Sequence, residues 1–200
     1  LWYNSTATTF QFQYGATAGV WSTGNNLNTG RFAVAGAGIK TAALAFGGYA
    51  PSIPGYAAQT ESYNGTNWTE VNDLNTARSE LRGAGTQTAA LGFGGNPGSS
   101  PYTTGITESY NGTNWTEVND LNTARRFLTG FGASNTSALA VGGNPGPTLT
   151  ELYNGTNWTE VNDLNTGIWN RNCNIWFSYW RRRSRWNYSS NRILEWNQLD

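Results

Sequence analysis

The chain has no histidine, no methionine and a single cysteine, Cys173, and only 12% of its residues are charged. Without histidine the commonest general base and metal ligand is gone, and no Ser or Cys stands in a pattern with a base partner. No catalytic residue, metal ligand set, phosphate loop or cofactor is therefore assigned. One cysteine excludes an intramolecular disulfide and leaves the redox compartment open. Net charge is zero and no apolar run approaches about 18 residues, so neither a bulk nucleic-acid partner nor a membrane span is expected. Because methionine is absent, Leu1 is not a natural translation start, and the expectation is a processed N-terminus or an internal piece of a longer reading frame.

What is abundant is glycine, 25 residues, together with 10 Trp, 10 Tyr and 8 Phe in 200 positions. That composition suits a globular β-protein with a sizeable core. Its organisation is repetitive. YNGTNWTEVNDLNTAR runs from Tyr63 to Arg78, recurs from Tyr110 to Arg125, and returns from Tyr153 as far as Thr166. Trp21, Trp68, Trp115 and Trp158 stand 47, 47 and 43 residues apart, and a Gly pair closes each apolar run at Gly48, Gly95 and Gly143. A fixed period of this length marks a repeat architecture. Within a unit, a Gly-rich segment, an apolar run, TES/TEL-Y and NWTEV read as four short strands with no helix signal. Asn64-Gly65, Asn111-Gly112 and Asn154-Gly155 are expected to supply positive φ in tight hairpin turns.

The order of an Arg, a strand, a Gly-Gly strand, a Tyr and then a Trp resembles the kelch repeat of β-propellers. It is carried by Arg31, Gly47, Gly48, Tyr63 and Trp68, by Arg78, Gly94, Gly95, Tyr110 and Trp115, and by Arg125, Gly142, Gly143, Tyr153 and Trp158, over residues 14 to 166. Four residues separate Tyr63 from Trp68, fewer than in the family pattern, whereas six separate Tyr14 from Trp21. YNGTNWT is also similar to the Asp-box turn of sialidase propellers, with Asn where that motif has Asp. The resemblance implies an all-β fold: a kelch-like β-propeller fragment of four-stranded antiparallel blades. The expected division is a partial blade at 1–30, blades at 31–72, 78–119 and 125–162, and an aberrant tail at 167–200. Copper oxidases of the kelch fold need His ligands, which this chain lacks.

Glu70, Glu117 and Glu160, like Asp73, Asp120 and Asp163, are identical by duplication and read as turn or surface groups. Arg31, Arg78 and Arg125 have two readings: contact with an anionic ligand on one rim, or the leading one, tying down carbonyls of a neighbouring blade. Asn64-Gly-Thr and Asn67-Trp-Thr match glycosylation sequons by letter, with turn chemistry the favoured reading. The segments that differ between copies are 49–59, 96–106 and 144–149, and loops on a rigid scaffold are where binding specificity resides. The ligand-binding candidates are Tyr49, Tyr56 and Tyr102, with Arg78 and Arg125 secondary. The expected function is non-enzymatic recognition of a glycan or protein through rim loops, in an extracellular or virion-surface fibre or adhesin. An intracellular kelch-type adaptor is the alternative and a propeller enzyme the third reading. An open array leaves blade faces uncovered, so self-association is expected.

After Thr166 the composition changes: residues 167–200 carry six Arg against Glu195 and Asp200, a charge of +4 against −4 for residues 1–166. A basic arm with interleaved Trp fits single-stranded nucleic acid or a membrane interface. The genetic code offers a better account. Shifted by one base, with permitted synonymous codons, Asn191 to Asp200 reads Thr-Glu-Ser-Trp-Asn-Gly-Thr-Asn-Trp-Thr, which is TESYNGTNWT with Trp for Tyr. The tail then reads as a frameshifted fourth repeat. The expected result of sequencing the coding DNA is that a one-base shift after about codon 166 restores the repeat, and a shift that restores nothing would sink the idea.

Overall fold

A computed structural model describes residues 24–52 and 55–168, with two short strands before them, β1 (Trp2–Asn4) and β2 (Thr9–Gln11), which pair antiparallel. Trp21 and residues 169–200, nearly all of the segment expected to be a frameshifted repeat, lie outside the described residues, as does most of the segment 1–30 expected to be a partial blade. No helix occurs among the described residues. The strands that follow are β3 (Ala35–Ile39), β4 (Ala42–Phe46), β5 (Tyr49–Ala50), β6 (Gly55–Tyr56), β7 (Thr60–Tyr63) and β8 (Trp68–Val71). Next come β9 (Arg82–Gly85), β10 (Ala90–Phe93), β11 (Thr107–Tyr110) and β12 (Trp115–Val118). The last are β13 (Thr129–Ser134), β14 (Ser137–Val141), β15 (Thr150–Tyr153) and β16 (Trp158–Val161).

Each repeat folds into one four-stranded antiparallel meander: β3-β4-β7-β8, β9-β10-β11-β12 and β13-β14-β15-β16. Only the first inserts a small hairpin, β5-β6, between its second and third strands. The fold is therefore all-β and blade-like, as the repeat demands. Successive blades meet through their first strands, where β9 lies between β3 and β13. Glycine permits this approach. A Cβ on Gly83 would stand 2.4 Å from the Gly36 carbonyl oxygen, and one on Gly130 would stand 2.7 Å from the Phe93 ring. No side chain fits there.

The core is the space between blades. In the first interface Ala35, Leu44 and Phe46 meet Leu81, Ala90, Tyr110 and Trp115, and in the second Leu91 and Phe93 meet Leu128, Ala138, Tyr153 and Trp158. Tyr110 and Trp115 are direct cross-strand partners with ring centroids 5.0 Å apart. Trp115 then lies 4.7 Å from the Phe46 ring of the preceding blade and donates its indole N–H to Thr60 Oγ1 at 3.1 Å. Trp158 repeats both contacts on Phe93 and Thr107. A large ring buried on its neighbour, with its one polar atom satisfied, is why the phrase needs Tyr and Trp at this spacing.

The repeated turn is built differently from the expectation. Gly65, Gly112 and Gly155 adopt positive φ, at +92°, +93° and +95°, but among the described residues their Asn neighbours do not. Asn64 Oδ1 instead accepts the backbone N–H groups of Thr66 and Asn67 at 2.9 and 2.8 Å, and Asn111 and Asn154 do the same. The Asn is a side-chain cap of the turn, and only the Gly needs the left-handed region. Asp73 and Asp120 are structural too, each accepting from the first N–H of the third strand, Thr60 or Thr107, at 3.0 Å.

Burial separates the tryptophans. Trp115 is 5% exposed, whereas Trp68 is only half-buried. Trp115→Ala is expected to cost about 3 to 5 kcal/mol, and Trp68→Ala clearly less, in denaturant unfolding. Equal losses would show that interface burial does not set the ranking.

Candidate binding rim

The antiparallel meander sends the variable second-to-third-strand loops and the blade-to-blade connections to the same end of every sheet. Three isolated bridges pin them together there: Phe32 with Tyr49, Ser79 with Asn96, and Arg126 with Asn144. This end is the candidate binding rim.

The repeated arginines lie beneath it. Arg78 and Arg125 are 0% exposed, and each is ion-paired inside its own blade, Arg78 with Glu108 and Arg125 with Glu151 at 2.8 Å. Arg78 also donates to the Gly92 and Gly94 carbonyls at 3.2 and 3.1 Å. Burial lowers the pKa of both guanidiniums, opposed by the facing carboxylates. Their assignment as ligand contacts is thus corrected, because no ligand at the rim reaches a closed-off guanidinium. Apart from the Thr76 carbonyl in the incoming connection, which Arg78 holds at 2.9 Å, the carbonyls they hold belong to their own blade. What crosses the blade boundary is the glutamate's other face: Glu108 accepts the N–H groups of Asn75 and Thr76 at 2.7 and 3.3 Å, and Glu151 those of Asn122 and Thr123.

Of the tyrosine candidates, Tyr49 and Tyr56 are brought together. They are cross-strand partners in the β5-β6 hairpin, their rings edge-on at 5.5 Å, and Phe32 stacks on Tyr49 at 5.2 Å. Both are half-buried. Tyr56 reaches the next blade, where a Cβ on Gly98 would stand 2.5 Å from its ring. Tyr102 sits on that next blade's loop, 51% exposed and with a positive φ of 61°. A bulky residue in the left-handed region is uncommon and worth a functional question.

Sequence reasoning missed the residues between these loops. Two positions after each repeated Arg, the backbone turns left-handed: Ala33 at φ 54°, Glu80 at 60° and Phe127 at 57°. Glu80 N–H donates to the Ala33 carbonyl at 3.1 Å and Phe127 N–H to the Glu80 carbonyl at 3.2 Å, so a line of amides crosses the blades. The Glu80 carboxylate pairs with Arg126 at 3.1 Å across the second and third blades. Asn96 is 5% exposed, and its Oδ1 accepts the Gly98 N–H at 2.9 Å. Arg126 lies 5.0 Å from the centroid of Phe127. The missed signal was the contrast between Phe32-Ala33, Ser79-Glu80 and Arg126-Phe127 in copies otherwise nearly identical.

At the opposite rim a cleft of about 400 Å³ is lined by Gly38, Ile39, Ala42, Gln87, Thr88, Ala133 and neighbours, with no charged side chain. Among the described residues no group of three His, Cys, Asp or Glu side chains is placed to hold a metal ion. No protein-family model matches the chain, and a search of curated proteins finds no match.

Burial raises the Glu80 pKa above the ordinary glutamate range; Arg126 opposes this without cancelling it, and Asn96 and Arg82 act in the same lowering sense as Arg126. A raised folded-state pKa means the fold binds the proton more tightly than the unfolded chain, so Glu80's contribution is present in acid and lost as pH rises through its raised value. The thermal midpoint of the wild type relative to Glu80→Gln is therefore expected to fall across that interval. A pH-independent difference would remove Glu80 as the titrating group.

Proposed function

We propose that the chain is a kelch-like propeller fragment serving as a non-enzymatic binding module, which takes a glycan or protein ligand on the rim that carries the second-to-third-strand loops. One observation carries the reading: copies whose NGTNWTEVNDLNT framework repeats letter for letter differ in length and aromatic content at this rim, in the loops 49–59, 96–106 and 144–149 and at the positions after Arg31, Arg78 and Arg125. A scaffold held constant beneath a varied surface is the arrangement of a recognition module.

The chemistry of the rim supports the same ligands. Tyr49, Tyr56 and Phe32 form a row of rings, Tyr102 is exposed on the next blade's loop, and Glu80 and Arg126 supply acceptors and donors between blades. Aromatic rings give flat contact area on a sugar face or in a protein pocket at low entropic cost. Tandem blades of this kind suit an extracellular or virion-surface fibre or adhesin.

The three tyrosines do not test the reading equally. Tyr49 packs between Phe32 and Tyr56, and Tyr56 meets the Gly98 loop of the next blade, so their loss confounds folding with binding. Tyr102→Ser is the clean variant: the thermal midpoint is expected to stay nearly unchanged, while binding on a glycan or protein array falls about tenfold, roughly 1.4 kcal/mol. Array binding that is unaffected by Tyr102→Ser and by Arg126→Ala would move the site off this rim.

A further inference from the structure

Twice in the structure one blade receives the next through the same contacts, so the third blade can be compared with two seated precedents. Thr60 and Thr107 accept the indole N–H of Trp115 and Trp158. The matching Thr150 Oγ1 is buried and has no hydrogen-bond partner among the described residues. The amides of Asn75-Thr76 and Asn122-Thr123 close on a glutamate of the following blade. The matching Asn165 and Thr166 sit in the same folded connection, anchored by Leu164 N–H to the Thr148 carbonyl at 3.0 Å and Ile168 N–H to the Pro147 carbonyl at 2.8 Å, and they are exposed. On the same face Phe131, Leu152 and Val161 are 58%, 39% and 38% exposed. Their counterparts Ala84, Ser109 and Val118 lie inside the interface with the following blade.

The first blade keeps the complementary half. Trp68 gives its indole N–H to the Asn25 carbonyl in an exposed contact at 3.1 Å. Glu61 is held by the amides of Asn28 and Thr29 within Leu27-Asn28-Thr29-Gly30, the same tetrapeptide as Leu164-Asn165-Thr166-Gly167.

We propose that a second copy of this chain docks its first blade on the open face of the third, Trp68 donating to Thr150 Oγ1 and Leu164–Gly167 replacing Leu27–Gly30 around Glu61. One set of amides is exchanged for an identical one, so that step is close to neutral. Burial of Phe131, Leu152 and Val161 and satisfaction of the orphan hydroxyl drive the association.

A paired difference in sequence selects the first blade as the occupant. Within the chain, Gln87 and Asn135 reach back to Ser62 and Ser109 of the preceding blade. In the third blade that serine is Leu152, and in the first blade the residue at the Gln87 position is Lys40, exposed. A Lys stem covers a Leu while its ammonium stays in water, whereas a Gln amide there loses its partner. The contact joins two unlike faces, so it propagates head to tail.

The test is sedimentation velocity on the full 200-residue chain over a concentration series. Wild type is expected to grow with concentration. Phe131→Lys/Leu152→Lys blocks one face at exposed positions, and Trp68→Ala blocks the other. Each alone should stay monomeric with its near-ultraviolet circular dichroism retained, and an equimolar mixture should give a heterodimer and nothing larger. If Trp68→Ala unfolds, Trp68→Phe keeps the ring, removes the donor and should weaken association about fivefold. A wild type that is monomeric throughout, blocked variants that associate like wild type, or a mixture that forms no dimer would each overturn the proposal.

Discussion

A buried glutamate on the third strand of each blade is the point on which the rest of the structure depends. Glu61, Glu108 and Glu151 each receive an Arg side chain from their own blade and two backbone N–H groups from the connection that leads into that blade. An uncompensated carboxylate at these depths is not tolerable, and removing one partner of a buried pair costs about 3 to 5 kcal/mol. The clamp therefore sets two things together: where the connection passes, and how far one blade stands from the next.

The aromatic stacking follows from that spacing. With Asn75 Nδ2 also bonded to the Trp115 carbonyl at 3.0 Å, the fourth strand is held while its ring lies across the preceding blade. Glycine completes the geometry from the other side, because Gly36, Gly83 and Gly130 let first strands approach until only backbone separates them. Polar clamp, ring and glycine are one mechanism repeated, and so an error in any copy is felt at the boundary between blades. The variable second-to-third-strand loops lie together at one rim, while Lys40, Gln87 and Asn135 vary in the hairpins at the other end. Loop tips such as Tyr102 lie exposed beyond the clamp, whereas Phe127, although left-handed, is buried at 2% exposure.

The repeat alone determined the all-β class, the four strands of each unit and the placement of Trp and Gly, because each follows from local pattern: alternation, turn residues and a fixed period. It also singled out Tyr49, Tyr56 and Tyr102 as loop residues. Their difference in exposure was not legible, since it depends on which ring meets Phe32 or the Gly98 loop of the next blade. Arg78 and Arg125 could be read from sequence as rim cations or as buried ties. Only the tertiary structure decided for burial, by setting Glu108 and Glu151 opposite them from a strand 30 and 26 residues away. Glu61, Glu108 and Glu151 drew no notice beside the more visible Glu70, Glu117 and Glu160, because a repeated acid declares nothing about its partner until the strands are paired. Glu80 and Arg126 lie 46 residues apart and in different blades. A contact of that kind has no local signature, since it arises from the separation of blades and not from the strand pattern that the sequence encodes.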